Sequence, residues 1–405
     1  MTQILEAPDR DHAPARRDSQ HLPFGLLKEL ERPQDLFRDL GPNWYAAIMG
    51  TGIVANAGAI LPLRVPGLWV FATAVWALAG TALIVLIAAR AVHWIRFYCS
   101  AREAAASPVM AQFWGAPPMA LMTVGTGTLL LGRDLIGPSV AVDIDWVLWT
   151  CGTALGLVTA CWIPYRMITR LNIGPDAAFG GWLMPVVPPM VSAADGALLI
   201  PYLPPGQSQL TLLLGCYAMF GISLFASVII TQIWSRLLVH KIGPAVMVPT
   251  LWIVLGPLGQ SVTAAGNLGT QAAGVLPAPY AAGDAVFALL YGLPVWGFAM
   301  LWLALAAALT LHTARRHLPF ALTWWSFTFP VGTCVTGTIA LATRTNADML
   351  RTASTILYLL LLTAWLIVAA RTTRGIATGR LFRPMTPASQ PPPNGVLCAA
   401  APARR

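Results

Sequence analysis

The sequence predicts an all-α integral membrane protein in which ten transmembrane helices form five parallel helical hairpins around a central pore. The first observation is composition: 57% of the residues are hydrophobic and 10% are charged, whereas soluble globular proteins carry about 25% charged residues. The second is a succession of apolar stretches, each long enough to cross a hydrocarbon core of about 30 Å as a helix. The third is a regular recurrence of glycine and proline within alternate stretches.

Ten spans account for the apolar stretches, and none shows the alternating pattern of a transmembrane barrel strand. The spans lie near residues 44–61, 68–90, 109–131, 144–168, 179–200, 210–237, 246–271, 283–311, 319–343 and 352–371. The chain therefore divides into three parts. An N-terminal segment (1–43) is predicted to be partly disordered, a membrane domain covers 44–372, and a Pro- and Ala-rich tail (373–405) is predicted to be disordered.

The distribution of positive charge predicts the orientation in the membrane. Of the 25 Lys and Arg residues, all but four fall in the N-terminal segment, the tail and the loops on one side. The exceptions are Arg64, Arg133, Arg344 and Arg351. Because Lys and Arg concentrate in cytoplasmic loops, both termini are expected in the cytoplasm and the chain in the inner or plasma membrane. The net charge of +9 mostly reflects this asymmetry, so no nucleic-acid partner is expected.

Glycine and proline interrupt the odd-numbered spans at a regular interval. The helix breakers are Gly50, Gly52, Pro118, Pro188, Pro257 and Pro330. One breaker from each span, starting at Gly50, gives separations of 68, 70, 69 and 73 residues. This period predicts five copies of a two-helix hairpin, related by an axis along the membrane normal. Interrupted backbone is tolerated only against protein or a water-filled cavity, so the odd-numbered spans are expected to form an inner ring. The alternative is that these residues serve close helix packing.

The odd-numbered spans offer hydroxyl and amide groups rather than charges. Asp195 and Asp284 are the acids that lie within or beside the later spans, and no Lys, Arg or His falls mid-span. A cation path would show acidic rings or carbonyl filters, whereas free amides at helix breaks favour anions. We therefore expect passage of small inorganic or organic anions. For each hydroxyl the alternative is a bond to its own helix. The candidate pore-lining residues are Thr51, Asn56, Thr123, Pro188, Gln260 and Thr333.

Four segments carry a family resemblance. They are NWYAAIMGTGIVAN (43–56), GGWLMPVVPPMVSAADGA (180–197), LGPLGQS (255–261) and WWSFTFPVGT (324–333). They resemble the tellurite-resistance/dicarboxylate transporter family, which includes plant slow anion channels, fungal malate permeases and fungal sulfite exporters. The resemblance implies ten helices as five hairpins around a pore, a homotrimer, and a phenylalanine of the ninth helix that occludes the pore. The FTFP segment places this gate at Phe329. The alternative is an ordinary packing aromatic, like its neighbour Phe327.

Two transport functions remain open at this stage. The first is a channel for small anions with its gate at Phe329. The second is a proton-coupled carrier for malate-like C4-dicarboxylates, or an exporter of sulfite or tellurite, in which Asp195 or Asp284 would have to titrate. A membrane-embedded enzyme is not expected, because the six histidines lie in cytoplasmic segments or at span ends and no catalytic cluster is visible. No cofactor and no metal are expected.

Overall fold

The computed structural model describes residues 27, 30, 36–63, 65–170, 173–174 and 176–382. Within these residues the regular secondary structure is entirely helical. The α-helices are α1 Tyr45–Ile60, α2 Leu68–Arg96, α3 Tyr98–Ala106, α4 Pro108–Gln112, α5 Ala116–Gly127, α6 Arg133–Ile136, α7 Pro138–Thr169, α8 Pro188–Leu199, α9 Gln207–Ala226, α10 Ile229–His240, α11 Leu255–Val275, α12 Ala278–Ala314, α13 Phe329–Thr345 and α14 Asp348–Thr378.

Eight helical stretches among the described residues are long and apolar enough to cross a membrane. They are Leu68–Arg96, Pro108–Ile136, Pro138–Thr169, Gln207–His240, Ala245–Val275, Ala278–Ala314, Leu322–Thr345 and Asp348–Thr378. These stretches overlap eight of the ten predicted spans, which confirms the all-α membrane class. The first and fifth predicted spans correspond to shorter helices, α1 with 16 residues and α8 with 12. For these two helices a full crossing stays a prediction.

Inner and outer helices differ sharply in burial. The compared quantity is the buried share of the most apolar 18 residues of each stretch. It is 67% for the stretch that contains α5, 83% for that with α11 and 89% for that with α13. The corresponding share is 22% for α2, α7 and α12, and 33% for α9–α10 and α14. Nearly all of α1 and α8 is buried. Helices α1, α5, α8, α11 and α13 therefore form an inner ring, as the glycine and proline pattern predicted, and the others present apolar side chains to lipid.

The inner ring is closed by contacts between neighbouring hairpins. In cyclic order α1 contacts α5, α5 contacts α8, α8 contacts α11, α11 contacts α13, and α13 returns to α1. Each outer helix packs on its own hairpin partner and also on the inner helix of the next hairpin: α2 on α5, α7 on α8, α9 on α11, α12 on α13 and α14 on α1. Five hairpins thus surround one axis.

A 3-10 segment precedes every helix of the inner ring. These segments are Pro42–Trp44, Phe113–Gly115, Gly180–Leu183, Ala245–Val254 and Leu322–Phe327. The α-helices that follow begin at residues 45, 116, 188, 255 and 329, so the transition recurs after 71, 72, 67 and 74 residues. Pro118, Pro188, Pro257 and Pro330 lie in the first turn of these helices. A proline is tolerated in the first turn because its missing amide removes no helical hydrogen bond there.

Gly50 and Gly52 have a different role from the one predicted. They do not break α1, which is continuous through both positions. A Cβ atom on Gly50 would lie 2.2 Å from Oγ1 of Thr328 and 2.9 Å from a ring carbon of Trp325. A Cβ atom on Gly52 would lie 2.7 Å from Cγ2 of Thr123. The two glycines therefore allow α1 to approach the segment that leads into α13 on one side and α5 on the other.

The segments that flank the membrane domain meet on one face of the ring, which we call the terminal face. Here Trp44 stacks on Phe382 with ring centroids 5.3 Å apart. Helix α14 continues to Thr378, past its predicted end at residue 371, and Leu381 folds back against the backbone of Gly375. These contacts extend ordered structure into the segment that was predicted to be disordered from residue 373. Residues 1–26 and 383–405, which make up most of the two predicted disordered segments, lie outside the described residues.

Candidate functional site at the axis of the inner ring

A small cavity lies where the five inner elements converge. Its volume is about 20 Å³, and a water molecule needs at least about 10–15 Å³ of such space. The cavity is therefore large enough for one water molecule and too small for a hydrated anion. Each of the five hairpins contributes at least two lining residues: Ala46, Met49, Phe113, Met119, Met184, Val187, Ile253, Gly256, Leu322, Ser326, Phe329 and Pro330.

The lining of the cavity is apolar. Ser326 carries the one polar side chain among the lining residues that the structure describes. Phe329, at the first position of α13, is 2% exposed and is one of the residues that line this cavity. Phe327 packs elsewhere, edge-on against Trp252 with centroids 5.1 Å apart. The two phenylalanines of the FTFP segment therefore occupy different environments, and Phe329 is the one at the axis.

The cavity is surrounded by the N-terminal ends of the five inner α-helices. This follows from the 3-10 to α transitions, because the lining residues lie at or next to those transitions in every hairpin. The N-terminal end of an α-helix carries a partial positive charge. No acidic or basic side chain is present in the described lining. The described lining of the cavity therefore contributes no charged side chain, and helix ends are the polar backbone features beside it.

Three of the predicted pore-lining residues make hydrogen bonds between inner-ring helices or to the outer ring. Thr51 accepts a hydrogen bond from Nε1 of Trp365 at 3.1 Å and donates to the carbonyl oxygen of Ala47 at 2.7 Å. Asn56 donates from Nδ2 to the carbonyl oxygen of Thr123 at 3.0 Å. The hydroxyl of Thr123 donates to its own helix at 2.7 Å. These groups hold α1 against α14 and α5.

The other three candidates are also buried in helix contacts. A Cβ atom on Gly156 of α7 would lie 2.8 Å from Cβ of Pro188, so this proline faces the outer ring. The hydroxyl of Thr333 donates to the carbonyl oxygen of Pro330 at 2.7 Å. Gln260 is buried, and its Oε1 has no hydrogen-bond partner among the described residues. None of the six candidates is in the described lining of the axial cavity; whether they line other parts of an ion path stays a prediction.

The two acids that the sequence singled out lie in separate places. Asp195 of α8 interacts with Asp145 of α7 and with the hydroxyl of Thr126 of α5. Asp284 of α12 interacts instead with Tyr217 of α9. Asp145 was not among the predicted site residues, and the fourth predicted span (144–168) begins next to it. Its position could have indicated a buried acid. Asp145 is the eighth residue of the 32-residue helix α7, and one side of such a helix must face protein.

Comparison with known proteins identifies the family. Residues 39–373 match the family described as voltage-dependent anion channel. The chain belongs to this family. The resemblance drawn from the four sequence segments is thereby confirmed, and the chain is a multi-pass membrane protein of an anion-transport family.

Several known proteins are similar to this chain over most of its length. An uncharacterized transporter of Methanocaldococcus jannaschii is 27% identical over 362 residues, which cover 88% of this chain and 99% of the relative. The sulfite efflux pump of Trichophyton rubrum is 28% identical over 350 residues, covering 84% of this chain and 92% of the pump. The sulfite efflux pump of Arthroderma benhamiae is 27% identical over the same length and with the same coverage.

Proposed function

We propose that this voltage-dependent anion channel homologue passes small anions along the axis of the inner ring, and that Phe329 occludes the path. The observation that carries the proposal is the axial cavity, to which all five hairpins contribute and in which Phe329 lies. An apolar constriction of this size blocks hydrated ions by steric exclusion and by dewetting. The structure therefore corresponds to a closed state, and passage requires the ring of Phe329 to move.

The selectivity of the path is attributed to helix ends rather than to charged side chains. The first residues of the five inner α-helices lie at or next to one small cavity, and a free helix N-terminus contributes a favourable term of roughly 0.3–1 kcal/mol for an anion in an exposed setting. A full positive charge in the same place would bind an anion tightly and slow its release, whereas conduction requires binding that is weak enough for exit. Partial charges from helix ends satisfy both requirements.

The proposal includes a topology and an assembly. Residues 44–372 form the transport unit, the terminal face is cytoplasmic, and the chain is a homotrimer in the inner or plasma membrane. In support, Arg90, Arg166 and Arg236 lie on the terminal face, whereas Arg344 and Arg351 lie on the opposite face. The distribution follows the concentration of Arg in cytoplasmic loops.

The topology and the assembly can be measured separately. In a cysteine-free background, a membrane-impermeant thiol reagent added to intact cells should label a cysteine at exposed Leu135 and leave one at exposed Arg102 unlabelled. The reverse labelling pattern would place the terminal face outside. The mass of the protein in nanodiscs, measured by light scattering, should correspond to three chains, and a monomer mass would contradict the trimer.

A sulfite exporter is the favoured specific function within this proposal. The similarity to two fungal sulfite efflux pumps over 92% of their length supports sulfite as the transported anion. A proton-coupled C4-dicarboxylate carrier remains the second candidate, and the acids that face each other in α7 and α8 favour it. Export of tellurite by the same fold is a third substrate choice that the next experiment can include.

Flux into proteoliposomes distinguishes these functions. Uptake of chloride, sulfite, malate and tellurite is compared with and without an imposed proton gradient, and protein-free liposomes give the background. Sulfite flux that follows its own electrochemical gradient indicates a channel or uniporter, whereas malate flux that requires the proton gradient indicates a coupled carrier. Absence of flux for all four anions, from protein whose assembly is intact, would contradict the proposed function.

A further inference from the structure

Two carboxyl groups meet in the half of the ring remote from the terminal face. Asp145 lies near the start of α7 and Asp195 near the end of α8. Trp149, one turn beyond Asp145, donates from Nε1 to the carbonyl oxygen of Ser192 at 2.9 Å, which places the two acids at the same level of neighbouring helices. Gly125 of α5 makes room for Asp145, because a Cβ atom at this glycine would lie 2.4 Å from Oδ1 of the carboxyl group. The hydroxyl of Thr126, the next residue of α5, faces Asp195. Three helices thus bring three polar groups together.

The polar groups of this cluster are buried and lack ordinary partners. Asp145 is 1% exposed, and neither of its carboxyl oxygens has a hydrogen-bond partner among the described residues. Thr126 is 6% exposed, and its hydroxyl oxygen makes no hydrogen bond of normal length within the same residues. Asp195 is half-buried, although most of α8 around it is fully buried. Asp195 is therefore the member of the cluster that water can reach.

Among the described residues no positive charge forms an ion pair with either acid. Helix α6, which packs on α7, carries Arg133 and Asp134, and both are exposed. Helices α5 and α11, which pack on α8, have no titratable side chain in their sequences. On α9 the thiol of Cys216 is the titratable group that interacts with Asp195. On α7, Asp143 is exposed and points away from this cluster. The groups that face the pair are thus a thiol, a hydroxyl and the backbone, together with the amide of Asn267, which donates to the carbonyl oxygen of Ala194 at 3.0 Å.

Two carboxylates in such a setting cannot both be ionised. An ionised carboxylate that is buried without hydrogen-bond donors or a counter-ion is strongly unfavourable. Two negative charges at short range in a low-dielectric site add mutual repulsion, and carboxyl pairs respond by sharing a proton. A bound proton leaves one carboxylic acid and one carboxylate, and the acid can donate a hydrogen bond to its partner.

We propose that Asp145 and Asp195 form a proton-binding pair that holds one shared proton, with the Thr126 hydroxyl as its hydrogen-bond partner. The ligand is a proton, delivered from the side of the membrane opposite the terminal face through the half-buried Asp195. Release and uptake of this proton change the charge beside two neighbouring elements of the inner ring, α5 and α8. Anion flux therefore depends on the pH of that compartment; this consequence rests on the proposed function, whereas proton binding itself does not.

Infrared difference spectroscopy of the purified protein in nanodiscs tests the pair without any transport. Exposed carboxyl groups are ionised at neutral pH, so a protonated-carboxyl C=O stretch at pH 7 reports a buried acid. The spectrum of wild type minus that of the Asp145→Asn, Asp195→Asn double variant should contain this stretch. The Asp143→Asn variant is the matched control, because this exposed acid lies on the same helix, and it should retain the stretch.

A second variant covers the case in which the double variant does not fold. Thr126→Val has nearly the same shape and removes the hydroxyl, so the frequency of the C=O stretch should shift. A wild-type spectrum without the stretch, or a stretch that the double variant retains, would overturn the proposal. An unchanged frequency in Thr126→Val would overturn the assignment of its hydroxyl.

Flux measurements then separate the two proposals. Wild-type flux should change with the pH on the side opposite the terminal face, and the dependence should be lost in Asp145→Asn and in Asp195→Asn but kept in Asp143→Asn. A C=O stretch that behaves as expected in protein without anion flux would contradict the proposed function and leave the proton site intact. Anion flux in protein that lacks the C=O stretch would support the proposed function and overturn the proton-binding pair.

Discussion

Replacement of Phe329 by alanine removes the aromatic ring from the axial cavity. In the structure this cavity measures about 20 Å³. The space left by a phenyl ring can be judged from engineered apolar cavities of roughly 150 Å³ that accommodate benzene. Because one water molecule occupies about 30 Å³ in the liquid, the enlarged cavity has room for roughly five waters. An enclosed apolar cavity of this size stays dry, so the variant can carry anions only because the widened constriction lies on a path that is open to water at its two mouths.

The expected result is an increase in anion flux of at least about tenfold, which corresponds to a barrier lowered by about 1.4 kcal/mol. Phe329→Leu keeps part of the apolar volume and should give an intermediate flux. The same change destabilises the fold, since Phe→Ala in a core typically costs about 3–5 kcal/mol. Flux should therefore be measured by chloride-sensitive fluorescence in proteoliposomes, on protein selected for intact assembly by size-exclusion chromatography.

Phe327→Ala is the matched control for this experiment. Phe327 is 9% exposed and packs against Trp252 and Trp324 rather than in the cavity. Its truncation should cost similar stability and leave the flux unchanged. A Phe329→Ala protein that assembles normally and conducts at the wild-type rate would refute the assignment of the gate. Equal activation by Phe327→Ala would show that loosened packing, and not an opened axis, raises the flux.

Two further predictions concern ring packing and the opposite mouth of the path. Gly259→Ala should lower the unfolding temperature in detergent, because the new Cβ atom would lie 2.5 Å from the backbone nitrogen of Cys334. The loss in the free energy of unfolding should be about 1–3 kcal/mol or more. Gly215→Ala is the control and should leave the unfolding temperature unchanged, because no atom lies within 4 Å of its new Cβ atom. Arg344→Gln should reduce anion flux severalfold at low salt and less at high salt, because exposed charges are screened beyond about 10 Å at 0.1 M. Arg351→Gln should have a smaller effect on flux, because the charge of Arg351 is already paired with Asp348 at 3.0 Å. An equal loss of flux in the two variants would contradict a specific role of Arg344 at the mouth of the path.

The sequence was most informative where the local backbone conformation restricts which residue a position accepts. The prolines at 118, 188, 257 and 330 recur because four of the hairpins begin their inner helix in the same way, and a proline in that first turn removes no helical hydrogen bond. The period between them is visible without coordinates and implies the ring. The FTFP segment likewise placed Phe329 through resemblance, and the structure puts this residue in the lining of the axial cavity.

The sequence was less informative where a residue acts through a distant partner. Gly50 and Gly52 resemble helix breakers in the sequence, yet they are contact sites for the segment that leads into α13 and for α5. The hydroxyl of Thr51 accepts a hydrogen bond from Trp365, more than three hundred residues away, and whether it also lines the path stays a prediction. Neither contact is visible in the sequence, because the partner lies on another helix.

The sequence by itself determined the membrane class, the five-hairpin repeat and the separation of inner from outer helices, because the lipid core acts on every span in the same way and leaves a periodic pattern. Only the tertiary structure decided which polar groups meet. It brought Asp195 near Asp145 and Thr126, placed Asp284 beside Tyr217, and gathered residues of all five hairpins around one cavity. The physical reason is that these contacts join residues about fifty to seventy positions apart or more, and their distances depend on how the hairpins close into a ring.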